Sequence, residues 1–231
     1  MEVRWYGQAA FRLVSATDGR TVFLDPFRMP GPEWATRGFR FDYPPIVNVA
    51  AHLVLITHEH FDHNAADVVA GDPQVIWSAA GTFDTPVGQV TGVVADHDPA
   101  AGTQRGMNVI YVFSLDGLRV CHFGDYGQAS LRPEQETAIG RVDLLMLPVG
   151  GGPTVGAEAA GEVVRRLSPR CVVPMHYRTP AVSFLEPADA FLAQFSRVER
   201  LAAPEFDPAA LPVPSARDQP VVVVPSVPGW P

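Results

Sequence analysis

Apolar residues recur along the chain in short runs bounded by glycine, proline and aspartate, a pattern that predicts many strands and few helices. Residues 3–6, 10–14 and 21–24 make the first group, with a hairpin turn at Asp18-Gly19. Further runs at 53–56, 75–77, 90–95, 109–113, 118–121, 144–147 and 171–173 continue the series, and Asp116-Gly117 marks a second hairpin. Helical spacing is confined to 157–167, stopped by Ser168-Pro169, and to 187–195. Between 26 and 50, prolines and glycines alternate with Phe27, Trp34, Phe39, Phe41 and Tyr43, which predicts a long aromatic loop. Such a loop serves either as a lid or binding loop or as a seal over the core. The stretch 204–231 holds eight prolines around the valine run 221–224 and is expected to be an edge strand or extended arm, packed on its own subunit or a neighbour's. The expected organisation is one domain over 1–203 with a Pro-rich C-terminal arm over 204–231, and the arm makes a homo-oligomer an open expectation.

Composition narrows the chemistry. A chain of 231 residues, 47% hydrophobic, is long enough for one well-buried core without disulfide or metal staples. All 17 cations are arginine, and the absence of lysine excludes Schiff-base catalysis and a P-loop. A net charge of −8 with scattered arginines argues against nucleic acid as a partner. No run approaches the ~18–20 apolar residues of a membrane span, and the N-terminus lacks a signal-peptide layout, so a cytoplasmic protein with no membrane partner is expected. Cys121 and Cys171 each sit in an apolar run and read as reduced core thiols.

The densest chemistry lies at Thr57-His58-Glu59-His60-Phe61-Asp62-His63-Asn64, directly after the run 53–56. Residues i and i+2 leaving a strand point the same way, so His58 and His60 can share one cation, while Asp62 and His63 face a second as the chain turns. Imidazoles and carboxylates crowded in this way need an electrophile to satisfy them. His97, Asp125 and His176 each follow a further predicted strand, at the strand ends where open α/β sheets place their sites. Five imidazoles and two carboxylates without a thiolate suit two divalent ions, zinc foremost, with manganese or iron as alternatives. Two such ions close together would hold a bridging hydroxide at neutral pH, a nucleophile for hydrolysis. His52 reads as structural and Glu59 as solvated or capping.

These residues resemble the metallo-β-lactamase superfamily, whose strongest mark is the HxHxDH run. Within it the chain is similar to the small metal-dependent hydrolases that include ascorbate-6-phosphate lactonase. Supporting segments are Trp5-Tyr6-Gly7-Gln8-Ala9-Ala10-Phe11, Leu24-Asp25-Pro26-Phe27, His122-Phe123-Gly124-Asp125, Leu147-Pro148-Val149-Gly150-Gly151 and Val173-Pro174-Met175-His176-Tyr177. The resemblance covers residues 1 to about 180 and implies an α/β fold, a four-layer αββα sandwich with metals at one edge between the sheets. It implies that His58, His60 and His97 bind one ion, that Asp62, His63 and His176 bind the other, and that Asp125 bridges them. Asp25 would support the site from behind. Gln8 stands where many relatives have His, and Tyr126 where Thr is common.

The function expected is hydrolysis of a small ester, lactone or phosphoester, with an anionic substrate as one option and Asp62 orienting the nucleophile. His122 is a candidate leaving-group acid, and Arg178 and Tyr177 are candidate substrate contacts. Competing expectations are a phosphodiesterase or nuclease of the same fold, a di-iron redox protein, and a non-catalytic metal-binding protein.

Overall fold

The computed structural model describes residues 1–211 and 219–229; the parts of the expected arm at 212–218 and 230–231 lie outside the described residues. The chain opens with strands β1 (Glu2–Gly7), β2 (Ala10–Val14) and β3 (Thr21–Leu24), then a short helix α1 (Glu33–Thr36). Strands β4 (Val49–Ala50), β5 (Leu53–Ile56), β6 (Val69–Ala70), β7 (Gln74–Trp77), β8 (Gly81–Thr85), β9 (Gly88–Asp96), β10 (Met107–Leu115) and β11 (Leu118–His122) follow. Helix α2 (Pro133–Ile139), β12 (Leu144–Pro148), helix α3 (Ala157–Leu167), β13 (Cys171–Met175), helix α4 (Asp189–Leu192), β14 (Val198–Arg200), β15 (Glu205–Phe206) and β16 (Val221–Val224) complete it.

Two large sheets result. One has the order β15-β1-β2-β3-β5-β7 and the other β14-β16-β13-β12-β11-β10-β9-β8. Their facing sides build the main core, in which Trp5, Phe11 and Leu13 of the first sheet share a cluster with Ile110, Val112, Leu145 and Val173 of the second. The period of two is visible in β3 and β5: Val22, Leu24, Leu53 and Leu55 enter this core, whereas Phe23, Val54 and Ile56 face the other way. Because both faces are covered, these strands are apolar throughout rather than alternating. On the outer face of the second sheet, α3 packs Ala160, Val163, Val164 and Leu167 against the core, and Arg165 and Arg166 sit in its last turn, where they complement the helix dipole.

The outer face of the first sheet is covered mainly by the 26–50 loop. Phe27, Phe41 and Tyr43 are buried there beside Phe23, Val54 and Ile56, and each side chain so buried contributes about 1.5–3 kcal/mol. Trp34 and Phe39 of the same loop stay outside this cluster. Part of the loop therefore seals the core, as one of the two readings of its composition expected, and the rest lies outside that seal.

Five elements differ from the sequence reading. Val221–Val224 is not an edge strand: β16 lies between β13 and β14, parallel to both, with Val222 fully buried. Its flanking prolines fall outside the paired residues, so none removes a ladder hydrogen bond. Residues 205–206 likewise join the first sheet beside β1. The helix expected over 187–195 shrinks to Asp189–Leu192. Strand β8 and helix α2 escape apolar pattern reading because β8 is a polar, solvent-facing edge strand and α2 buries only Gln135 and Ile139.

Asp116 ties the two sheets together at the turn between β10 and β11. Its carboxylate accepts from Ser15 Oγ and from the Ala16 amide, both at 2.7 Å. Burial opposes ionisation, but those hydrogen bonds outweigh it and hold the carboxyl well below the usual carboxylate range. A depressed pKa stabilises the folded state above the unfolded value and loses that effect as pH falls towards the folded one. Replacing Asp116 with Asn should cost about 1–2 kcal/mol at pH 7, a drop of roughly 2–6 °C in Tm, with the gap closing below about pH 4. Thermal melts of both proteins from pH 3 to pH 7 check this.

Candidate metal centre

Strands β5, β9, β11 and β13 all end on one edge of the sandwich, and the loops that leave them carry the chemistry. His58, His60, Asp62 and His63 follow β5, His97 follows β9 directly, Asp125 follows β11 and His176 follows β13. Each of these residues except His60 is buried. Two groups of potential ligand atoms form: His58, His60, His97 and Asp125 in one, and Asp62, His63 and His176 in the other, with the atoms of each group within 4.8 Å of one another.

In the first group His58 Nε2 lies 3.0 Å and His97 Nε2 3.1 Å from His60 Nδ1, and Asp125 Oδ2 lies 3.8 Å from His58 Nε2 and 3.3 Å from His97 Nε2. Ligand atoms on a tetrahedron with bonds of about 2.0–2.1 Å are roughly 3.3 Å apart, so these spacings fit one ion. The other oxygen of the same carboxylate, Asp125 Oδ1, is 3.2 Å from His63 Nε2 and 3.3 Å from His176 Nε2. Asp62 Oδ2 completes the second group at 3.7 Å from His63 Nε2 and 3.9 Å from His176 Nε2. Asp125 thus offers one oxygen to each group. His63 Nε2 and Asp125 Oδ1 are buried without a hydrogen-bond partner among the described residues. Buried polar atoms are seldom left so, and a cation beside them resolves the deficit. The donor set fits two divalent ions.

Electrostatics prepares these ligands. Burial, reinforced by neighbouring His63, pushes the His58 imidazole well below its ordinary pKa, and burial together with His97 lowers that of His60. Both are therefore neutral, the state that binds metal. For Asp125 burial opposes ionisation, but His176 and His63 overcome it and hold the carboxyl well below its usual range. His63 moves the other way, because the carboxylates of Asp125, Asp62 and Asp25 outweigh the effect of burial.

A second set of contacts holds the ligands in place. Asp25 Oδ2 meets His63 Nδ1 at 2.9 Å and accepts from Thr57 Oγ1 at 2.7 Å, while Oδ1 accepts from the Thr57 amide at 2.8 Å. This fixes the His63 tautomer so that Nε2 faces Asp125. Gln8 Nε2 donates to Asp62 Oδ2 at 3.0 Å, so the residue that departs from the family pattern reaches a ligand directly. Gln8, Asp25 and His176 all have positive φ, at 51°, 42° and 49°, a conformation that costs about 1–2 kcal/mol in a residue with a Cβ. Strain of this kind collects at functional sites.

The structure also places the remaining expected residues. His122 Nε2 donates to the Ala9 carbonyl at 2.9 Å and Nδ1 accepts from the Gly124 amide at 3.2 Å. Burial lowers its pKa and keeps it neutral. Neither ring nitrogen is left for a leaving group, so His122 braces the loop that carries Asp125 instead of donating a proton. Tyr177 stacks on Trp5 at 5.8 Å, and Arg178 donates through Nε to the Leu185 carbonyl. Both line a depression separate from the metal cluster, because strand β13 ends at Met175 and the chain turns sharply at His176. His52 accepts from the Thr21 amide, and Glu59 accepts from Trp77 Nε1.

A cavity of about 530 Å³ opens over the two ligand groups, lined by His60, Asp62, Asp125 and His176 and by Trp34, Phe39, Phe61, Phe184, Arg105, Gly152 and Pro153. Arg105 and Phe184 carry no local sequence signal. Arg105 reaches the cavity because Asp98 folds its loop, accepting from the amides of Ala100, Gly102, Gln104 and Arg105.

Comparison with known proteins agrees with this geometry. Residues 2–176 match the family described as the beta-lactamase superfamily domain. A UPF0173 metal-dependent hydrolase of Thermococcus onnurineus is 30% identical over 202 residues, covering 78% of this chain and 85% of that one. One of Methylobacterium nodulans is 33% identical over 227 residues, covering 84% and 91%. A crystal structure from Thermotoga maritima, described as a Zn-dependent hydrolase of the metallo-β-lactamase superfamily, superposes with a TM-score of 0.74 at 32% identity, covering 96% of this chain and 97% of that one. The chain belongs to the metallo-β-lactamase superfamily.

Gly124, with φ of 53°, lets the β11 loop pass under Thr57: a Cβ there would lie 2.3 Å from Asn108 Oδ1 and 2.6 Å from Thr57 Oγ1. Asn108 Oδ1 in turn accepts from the Asp125 amide at 3.0 Å. Gly124→Ala should therefore displace Asp125 and weaken metal affinity by about 10–100-fold, as loss of ligand support does. Competition with a chromogenic chelator measures it.

Proposed function

We propose that this chain is a dinuclear metal-dependent hydrolase of small ester, lactone or phosphoester substrates. The observation that carries the reading is Asp125, whose two oxygens face separate sets of histidines. His58, His60 and His97 would hold one ion and Asp62, His63 and His176 the other, with Asp125 shared. Zinc suits the nitrogen-rich donor set, and manganese or iron accept the same ligands. When bound, such ions supply the Lewis acidity that makes a water nucleophilic at neutral pH and stabilises charge developing on the substrate.

The chain's own groups do the rest. The Gln8 amide holds Asp62, leaving its carboxylate oriented over the site, where it can position the attacking water. Asp25 fixes His63 and Thr57 together, so the ligand loop cannot rotate. Among the described residues, Arg105 is the one arginine lining the cavity and is the group that an anionic substituent on the substrate would meet. A single arginine among the described lining residues, with a net charge of −8, favours a small molecule over a nucleic acid.

Metal analysis tests the proposal. The purified protein should bind two equivalents of zinc, His58→Ala about one, and Asp125→Ala close to none, with hydrolysis of an ester, lactone and phosphodiester panel reduced at least about 1000-fold in both variants. Unchanged metal content in the two variants would overturn it. Arg105→Glu should raise KM about tenfold for anionic members of the panel and leave neutral members within about twofold, measured by steady-state kinetics.

A further inference from the structure

The wall of the cavity is more specific than its floor. Trp34 packs against Phe61 at 4.7 Å, Phe184 at 5.6 Å and Phe39 at 5.7 Å between ring centroids, and Phe39 meets Phe184 at 5.8 Å. Three separate segments contribute: the 26–50 loop, the metal-ligand run and the loop after β13. None of the four pairs is stacked; the interplanar angles run from 52° to 79°. The rings therefore meet obliquely, edge towards face, and no pair buries two faces against each other.

Phe184 and Phe61 anchor this wall to the sealing layer, Phe184 by packing against the cluster of Phe27, Phe41 and Tyr43 and Phe61 by meeting Phe41 at 5.9 Å, but the seal itself does not depend on Trp34 and Phe39. That task falls to Phe27, Phe41 and Tyr43, which are almost wholly buried, whereas Phe39 remains 43% exposed. Apolar surface held open to water beside polar groups marks a place where a ligand is desolvated. Phe61 stands between His60 and Asp62 in sequence, so whatever lies against its ring is next to the reacting centre. A polyol laid against this wall would lose water for few hydrogen-bond partners, because the four rings themselves provide only the indole N–H as a donor.

We propose that Trp34, Phe39, Phe61 and Phe184 form the specificity pocket of the enzyme and select substrates that carry an aryl group beside the scissile bond. This rests on the metallohydrolase reading above. With the aryl group on the acyl side of an ester, hydrolysis breaks the acyl C–O bond and gives an aryl-substituted carboxylate and an alcohol, and phenylacetate is the simplest probe of that carboxylate product. Acetate is the matched probe without the ring, and glycerol 3-phosphate represents the polar alternative.

Titration calorimetry on the zinc-loaded protein should show phenylacetate binding about 30-fold tighter than acetate and tighter than glycerol 3-phosphate. Trp34→Ala and Phe184→Ala, with Trp34→Leu and Phe184→Leu as less disruptive forms, should reduce the phenylacetate-to-acetate preference to about threefold or less and leave acetate affinity within about twofold. A wild-type preference below about threefold, or tighter binding of glycerol 3-phosphate, overturns the proposal without any variant. The same titration on zinc-free protein separates the two readings. A preference for phenylacetate retained without zinc, alongside no hydrolysis by the zinc-loaded protein, supports the pocket and counts against the metallohydrolase assignment alone.

Discussion

The structure turns on one carboxylate. Asp125 is buried among four imidazoles, with Oδ1 and Oδ2 each directed at a different pair. A lone buried carboxylate is expensive, and here the cost is met by histidines delivered from three other strand ends. That requirement explains the layout of the surroundings. The strands must finish on one edge, β5 in one sheet and β9, β11 and β13 in the other, and the loops that follow must turn within a residue or two. Positive φ at His176, directly after β13, is the local cost of turning so sharply, and Gln8 and Asp25, which support the site from the ends of β1 and β3, take the same conformation.

Around that carboxylate the protein is layered by rigidity. Asp25, Thr57, Gln8, Asn108 and His122 form a nearly complete hydrogen-bonded shell that leaves the ligands little rotational freedom. Outside it lies a softer wall of aromatic rings, carried in part by a loop with a single short helix. Precise placement of reacting groups and tolerance in the substrate-facing wall are therefore assigned to different parts of the chain, as expected when one fold serves several chemistries by loop variation.

Much of this was legible before any coordinates. The runs at 53–56, 118–121 and 171–173 mark strands, and the ligand residues after them follow from that placement. The HxHxDH spacing carried His58, His60, Asp62 and His63 together, placement after strands pointed to His97, Asp125 and His176, and the family resemblance supplied their expected roles. What could not be read was anything set by long-range packing. His122 sits in the same type of strand-end position as a ligand, yet the partners that occupy both its nitrogens, Ala9 and Gly124, are chosen by sheet pairing. Arg178 looked poised because it follows His176 by two residues, but the sharp turn at His176 sends it elsewhere. Arg105 was invisible because its approach depends on how Asp98 gathers four amides. The valine run 221–224 read as an edge for a similar reason: prolines mark its ends, and only the topology shows strands on both sides.

That inserted strand carries a consequence for synthesis. Every ligand residue precedes it, yet β16 fills the slot beside β13, the strand that positions His176. As the chain emerges from the ribosome, the metal-binding side chains are available before the sheet that must hold them can close, leaving β13 with an open hydrogen-bonding edge. Maturation of the centre is therefore coupled to the arrival of the last strand, and a nascent chain paused before it would expose a template for mispairing between molecules.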